Sequence, residues 1–207
     1  MTATTTPTDE ETQSDDEPMK VAASGFRGML LTADEVPGFN DRFTWREKST
    51  RRGEARTPFG TCQKFAMTSI GATKVVVRTF RPGLKSPGSS ASHLVARFAD
   101  EMTAKRAYEV LKSWRAQCKD QLTSYDRTQV GKLQSVPVDG DATGDWYLLV
   151  YGPAGDPDSD YFDAQGMTRS GTTISLLEMR LVGQDYNYPS GKEPMVGAVQ
   201  NAAARLG

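Results

Sequence analysis

Residues 103–122 read TAKRAYEVLKSWRAQCKDQL. Ala107, Leu111, Trp114, Cys118 and Leu122 recur at helical spacing and make one apolar face. Lys105, Arg106, Glu109, Lys112, Arg115 and Lys119 fall largely on the other side. The stretch has no Gly or Pro and is rich in helix formers. Asp100 or Thr103 is placed to cap its start. It predicts a helix lying across a β-sheet, with Trp114 as its anchor and Cys118 at the core edge.

The segments around it supply the sheet. Residues 74–81, KVVVRTFR, are rich in β-branched side chains, and residues 93–99 and 145–151 are further strand-like runs. Residues 129–138 read as a weaker strand. Residues 161–168 and 172–182 flank Ser170-Gly171, a two-residue hairpin signal. Residues 62–67 fit a helical turn or a strand start equally well. Near the start, Thr32 and Glu35 have capping-box spacing, and Pro37-Gly38 ends that short helix. At the end, Pro194 suits the first position of a helix whose stripe is Met195, Val199, Ala202 and Leu206. Hairpin-like connections without βαβ alternation predict an α+β two-layer sandwich. Its sheet is mainly antiparallel, with the long central helix and the C-terminal helix on one face.

Two regions differ in composition. Residues 1–24 are Thr-, Pro- and acid-rich and nearly free of large apolar side chains. They read as a disordered acidic tether, because they bury too little surface to offset ordering entropy. Residues 25–207 form a single α+β domain. The tether sums to −5, so the rest of the chain carries +4 of the overall −1. Its basic residues are scattered, which argues against a nucleic-acid partner. No apolar run is long enough to span a membrane, and no signal peptide opens the chain. Either the protein is cytosolic, or a leader or anchor was removed before Met1.

Cys62 and Cys118 are the two cysteines, and His93 is the only histidine. That set is too small for a structural Cys/His zinc site. The preferred reading is a Cys62–Cys118 disulfide, which implies an oxidising, extracytoplasmic compartment and contributes on the order of 4 kcal/mol. A Cys–His catalytic pair is the competing one. Phosphate-loop and nucleophile-elbow motifs are absent, and Asp156, Asp158 and Asp160 lack the glycine and closing glutamate of a calcium loop. No metal or cofactor is called for. Strand alternation sorts the remaining candidates. One sheet face is apolar; the other gathers Arg78, Arg97, Tyr147, Tyr151 and Arg180, with Glu178 among them. These five are the candidate ligand-binding residues, either a solvated face or a groove for an anionic or amphipathic ligand.

The run LLTADEVPGF, the W-x-x-x-C of Trp114 and Cys118, and a late hairpin followed by a helix ending AAARL carry a family resemblance. Over residues 26–207 the chain resembles the PknH-like extracytoplasmic sensor domains of actinobacteria, found on transmembrane kinases and as lipoproteins. The resemblance implies an α/β sandwich with a groove and ligand sensing outside the cell, with no chemistry. Better-known relatives carry two disulfides, whereas this chain forms at most one.

The function expected is thus a non-enzymatic extracytoplasmic sensor or ligand-binding domain. It is extracellular, tethered to the membrane only through an anchor outside this sequence, or secreted. It binds an unidentified small molecule or cell-envelope ligand, without a cofactor, as a monomer. A protein-interaction module docking through the sheet face or residues 41–57 is the alternative. A hydrolase using Cys118 or an Asp/Tyr constellation is the other.

Overall fold

The computed structural model describes Met1 and residues 25–54 and 58–206. Apart from Met1, the acidic tether expected at residues 1–24 lies outside them.

Eight strands make one antiparallel sheet: β1 (Trp45–Arg52), β2 (Ala72–Pro82), β3 (Ser90–Phe98), β4 (Arg127–Val130), β5 (Gln134–Val136), β6 (Thr143–Gly152), β7 (Asp160–Ser170) and β8 (Thr173–Gly183). Their order is β1-β2-β3-β8-β7-β6-β4, with β5 also paired to β6. Helix α1 (Glu101–Ala116) follows β3, and α2 (Pro194–Leu206) closes the chain. The α+β sandwich with an antiparallel sheet is therefore as read from sequence. The weak strand at 129–138 is two strands, β4 and β5. The β7–β8 ladder closes at Ser170 and Thr173, so the turn is Gly171-Thr172, with Gly171 at φ 48°. Residues 62–66 hold no regular element, and a 3₁₀ turn follows at Met67–Ile70.

The helices do not share a face. Helix α1 buries Ala104, Ala107, Tyr108, Leu111 and Trp114 against Val75, Val77, Leu94, Ala96, Ile174 and Leu176. Helix α2 buries Met195, Val199 and Ala202 against Phe80, Ala91, Trp146, Ala164, Leu177 and Met179. In β8 these are residues of opposite parity, so the two helices cover opposite faces. The sheet is the middle of three layers. That explains why β3 and β8 carry apolar residues at consecutive positions. Close packing on the α2 side depends on Gly166: a Cβ there would lie 2.5 Å from Met195 Sδ and 2.7 Å from Val199 Cγ2.

Asp100 caps α1, its carboxylate accepting from Thr103 N at 2.7 Å. The helix stops at Ala116 rather than running to residue 122. Gln117 leaves helical geometry and a 3₁₀ turn, Cys118–Gln121, takes over. This tightening carries Cys118 to Cys62, and the two form a disulfide with Cα atoms 5.0 Å apart, closing 56 residues of chain. The bridge ties the loop around residues 58–65 to the α1 face, and Gln121 Nε2 donates to Cys62 O at 3.1 Å.

Candidate functional site

Both sheet faces carry charged and polar side chains; on the α1 face these include a buried Asp145 that accepts from Tyr108 OH at 2.8 Å and Ser135 Oγ at 3.0 Å, and the five sequence-derived site residues divide between the two faces. Tyr147, Tyr151 and Arg180 lie on the α1 face, whereas Arg78 and Arg97 lie on the α2 face.

On the α2 face the polar groups hold the N-terminal segment. Leu31 N donates to His93 Nδ1 at 2.9 Å, which places the ring proton on Nε2, 2.5 Å from Ser175 Oγ. His93 is fully buried, and burial together with the nearby Arg78 charge drives its pKa down to about 3. Arg78 donates to Leu31 O at 2.9 Å and Thr50 Oγ1 at 2.8 Å, and its Nε sits 3.2 Å from Glu47. Arg97 lies over the Phe26 ring at 5.4 Å and reaches Met29 Sδ at 3.8 Å. The capping box foreseen at Thr32–Glu35 is present, Thr32 N donating to Glu35 Oε2 at 2.7 Å, and Glu35 is salt-bridged to Arg205 of α2. Arg78 and His93 are thus engaged with the backbone of the N-terminal segment.

On the α1 face a buried network centres on Asp163, which has no solvent exposure. Its carboxylate accepts from Thr61 Oγ1 at 2.6 Å, Gln165 Nε2 at 2.7 Å, Arg180 Nη2 at 3.1 Å and Tyr151 OH at 3.2 Å. Arg180 Nη2 also donates to Glu178 Oε1 at 3.1 Å. Burial opposes the Arg180 charge, but Asp163 and Glu178 outweigh it and keep the guanidinium ionised. The guanidinium lies 6.0 Å from the Tyr151 ring centre and 5.7 Å from that of Tyr161. One arginine thereby faces two carboxyls. The second gives way: burial, then the Asp163 charge, push Glu178 up to about 8. Glu178 forms part of the wall of a cleft of about 150 Å³, with Arg51, Gly60, Thr79 and Ser92 around it. Tyr147 is buried and lines, with Cys62 and its cross-strand neighbour Gln165, a cavity of about 30 Å³, with Arg115 over its ring at 5.9 Å.

Asp163, Thr61 and Gln165 were not singled out from the sequence. Asp163 and Gln165 alternate in a strand that reads as ordinary half-exposed β, and Thr61 is brought in only by the disulfide loop. The Cys–His pair does not form. Both sulfurs are in the disulfide, and His93 is on the other face. Among the described residues no group of three or more His, Cys, Asp or Glu side chains is arranged to hold a metal, and no helix is long and apolar enough to cross a membrane. The α1-face cleft can offer the Thr79 and Ser92 hydroxyls, the Arg51 guanidinium and two carboxyl groups, Glu54 and the Glu178 group that burial pushes up to about 8. That combination suits a small polar molecule.

No protein-family model matches the chain, and no curated protein matches it significantly. Among solved structures, it is similar to the crystal structure of the extracellular domain of PknH from Mycobacterium tuberculosis. The match has a TM-score of 0.51 at 9% identity and covers 87% of this chain and 93% of that one. The two chains share a fold at a distance.

Proposed function

We propose that this chain is an extracellular, non-enzymatic sensor or ligand-binding domain that takes a small polar ligand in the α1-face groove beside Glu178. The observation that carries the reading is the Asp163–Arg180–Glu178 cluster at that groove. Burying an arginine with two carboxyls is a poor way to stabilise a fold, since desolvation offsets most of the Coulomb gain. Perturbed ionisable groups beside a cleft mark binding sites. The disulfide supports an oxidising compartment, and the fold shared with an extracellular domain points the same way. Residues 1–24 then serve as the tether to the cell envelope. The interaction-module alternative has less behind it: among the described residues past Met1, the exposed large apolar side chains are Phe65, Leu84 and Met102, each from a different segment of the chain.

Amide NMR of the full chain tests the groove, with N-acetylglucosamine, D-alanyl-D-alanine and glycerol 3-phosphate as probes. At least one is expected to shift the Gly60, Ser92 and Glu178 signals saturably, and Glu178→Gln should weaken that probe about tenfold. If all three leave those signals unmoved at about 10 mM, the groove is no receptor for envelope fragments.

A further inference from the structure

A second cleft lies at the sheet edge, away from Glu178. Strand β1 ends at Arg52, paired with Val76, whereas β2 runs on to Ala72. Residues 72–74 therefore lack a β1 partner. Phe26 and Arg27 border the gap on one side, and Thr68 of the 3₁₀ turn borders it on the other. The cleft holds about 580 Å³, and its walls are mostly apolar. A concavity of that size accommodates an organic molecule.

The charged side chains lining this cleft are all cations, and the neighbouring carboxylate, Glu54, is turned to Thr68 N at 3.4 Å and to Gln63. Arg52 pairs with Val76 and Lys74 with Arg97, so Arg52, Lys74 and Arg97 project to one face from three neighbouring strands. Arg27 adds a fourth cation beside them. Among the described residues, none of these four makes a salt bridge. Arg97 stands behind Phe26, and its Nε is buried without an acceptor. Four like charges placed together repel one another, and an anion between them relieves that repulsion. Two arginines offer planar forks that match a phosphate or carboxylate. The floor is Phe26, Val75 and Val76, which has nothing to offer a small inorganic ion.

We propose that this cleft binds an amphipathic anion. Arg27, Arg52 and Lys74 hold its phosphate or carboxylate head, and its apolar portion lies along Phe26, Val75 and Val76. A hollow between two turns fits a single inserted molecule better than a flat membrane surface. The site shares no residue with the Glu178 groove, so the two stand or fall separately.

The test is amide NMR of the full chain titrated with dodecyl phosphate below its micelle concentration. Inorganic phosphate and dodecyl maltoside serve as head-only and tail-only probes. Dodecyl phosphate is expected to shift the Phe26, Arg52, Gly53 and Lys74 signals saturably. The two partial probes should bind at least about tenfold more weakly, as should dodecyl phosphate to the R27Q/R52Q/K74Q variant. All three side chains are exposed, so that variant keeps the fold, and unchanged Tyr151 and Met167 signals will verify it. Binding that survives in the variant, or shifts confined to other residues, would overturn the proposal. So would inorganic phosphate binding as tightly as dodecyl phosphate. If binding appears only after residues 1–24 are deleted, the occupant is the chain's own acidic segment, and the external ligand is excluded.

Discussion

His93 and Glu178 stand on opposite faces of one sheet, and burial keeps both of them neutral. On the α2 face the imidazole is drawn down to about 3, between a backbone donor at Leu31 and the Ser175 hydroxyl. On the α1 face the carboxyl is pushed up to about 8, beside Asp163 and the Arg180 they share. The difference lies in what the partners are. His93 and Arg78 engage fixed backbone atoms of the N-terminal segment, so their cluster locks that segment to the sheet. Glu178 shares a single guanidinium and borders a cleft, so under the proposed function a ligand there would change its environment. One face spends buried polarity on architecture, and the other keeps a group whose charge responds to what sits beside it.

The disulfide belongs to the α1 face alone, and removing it should break the comparison most strongly. The Cys62→Ala/Cys118→Ala variant is expected to lose about 4 kcal/mol, the loop-closure entropy of a crosslink of this length. The loss should be local in character. Hydrogen exchange should rise at Thr61, Asp163 and Tyr151 before it rises at Leu31 and His93, because Thr61 reaches Asp163 only through the tied loop. Equal loss of protection on both faces would show that the clusters are not separate units.

Much of this architecture was legible in residue pattern. The stripes of α1 and α2, the Asp100 cap, the Thr32–Glu35 box and the β7–β8 hairpin all follow from local spacing, where the relevant contacts lie within a few residues. The pairing of faces was not. Alternation sorts side chains within a strand, but it says nothing about which parity matches the next strand. His93 pairs with Leu177, so Leu177 lies on the α2 face and Glu178 and Arg180 lie on the α1 face. Grouping Arg78 and Arg97 with Arg180 required the opposite parity at that one ladder. Runs such as Val75-Val76-Val77 and Leu176-Leu177 were the available hint that the sheet is covered on both sides. The buried role of Asp163 depends on Thr61, 102 residues away in sequence, and no local pattern reports such a contact.

The two neutral groups also give the chain opposed pH dependences, and single variants should separate them. His93 is neutral when folded, whereas in the unfolded chain it gains a proton below about 6.5. The unfolded state then binds more protons, so this contribution is lost as pH falls from 6.5 towards 3. Glu178 is protonated when folded and ionises in the unfolded chain above about 4.5. The folded state then binds more protons, so its contribution is lost as pH rises towards 8. Between pH 5 and 6.5 the two slopes oppose each other. In Glu178→Gln the histidine slope stands alone, because His93 is the only histidine. Denaturant midpoints should report about 1.5 kcal/mol lower stability at pH 5 than at pH 6.5. His93→Gln should reverse the sign over the same interval. Parallel slopes in the two variants would mean that neither group is held neutral by its face.

The smallest effect sharpens the comparison furthest. At pH 5 Glu178 is protonated in the fold, and a glutamine reproduces its shape and keeps a donor and an acceptor. Glu178→Gln should therefore stay within about 0.5 kcal/mol of the wild type there. Raising the pH towards 8 should open a gap between them, with the variant the more stable, since only the wild type must hold a proton against solvent. Arg180→Gln cannot behave this way at any pH, because it leaves Asp163 buried without its countercharge. A Glu178→Gln variant already unstable at pH 5 would show that the carboxyl is ionised in the fold. The α1-face cluster would then be a saturated structural ion network, like its counterpart across the sheet.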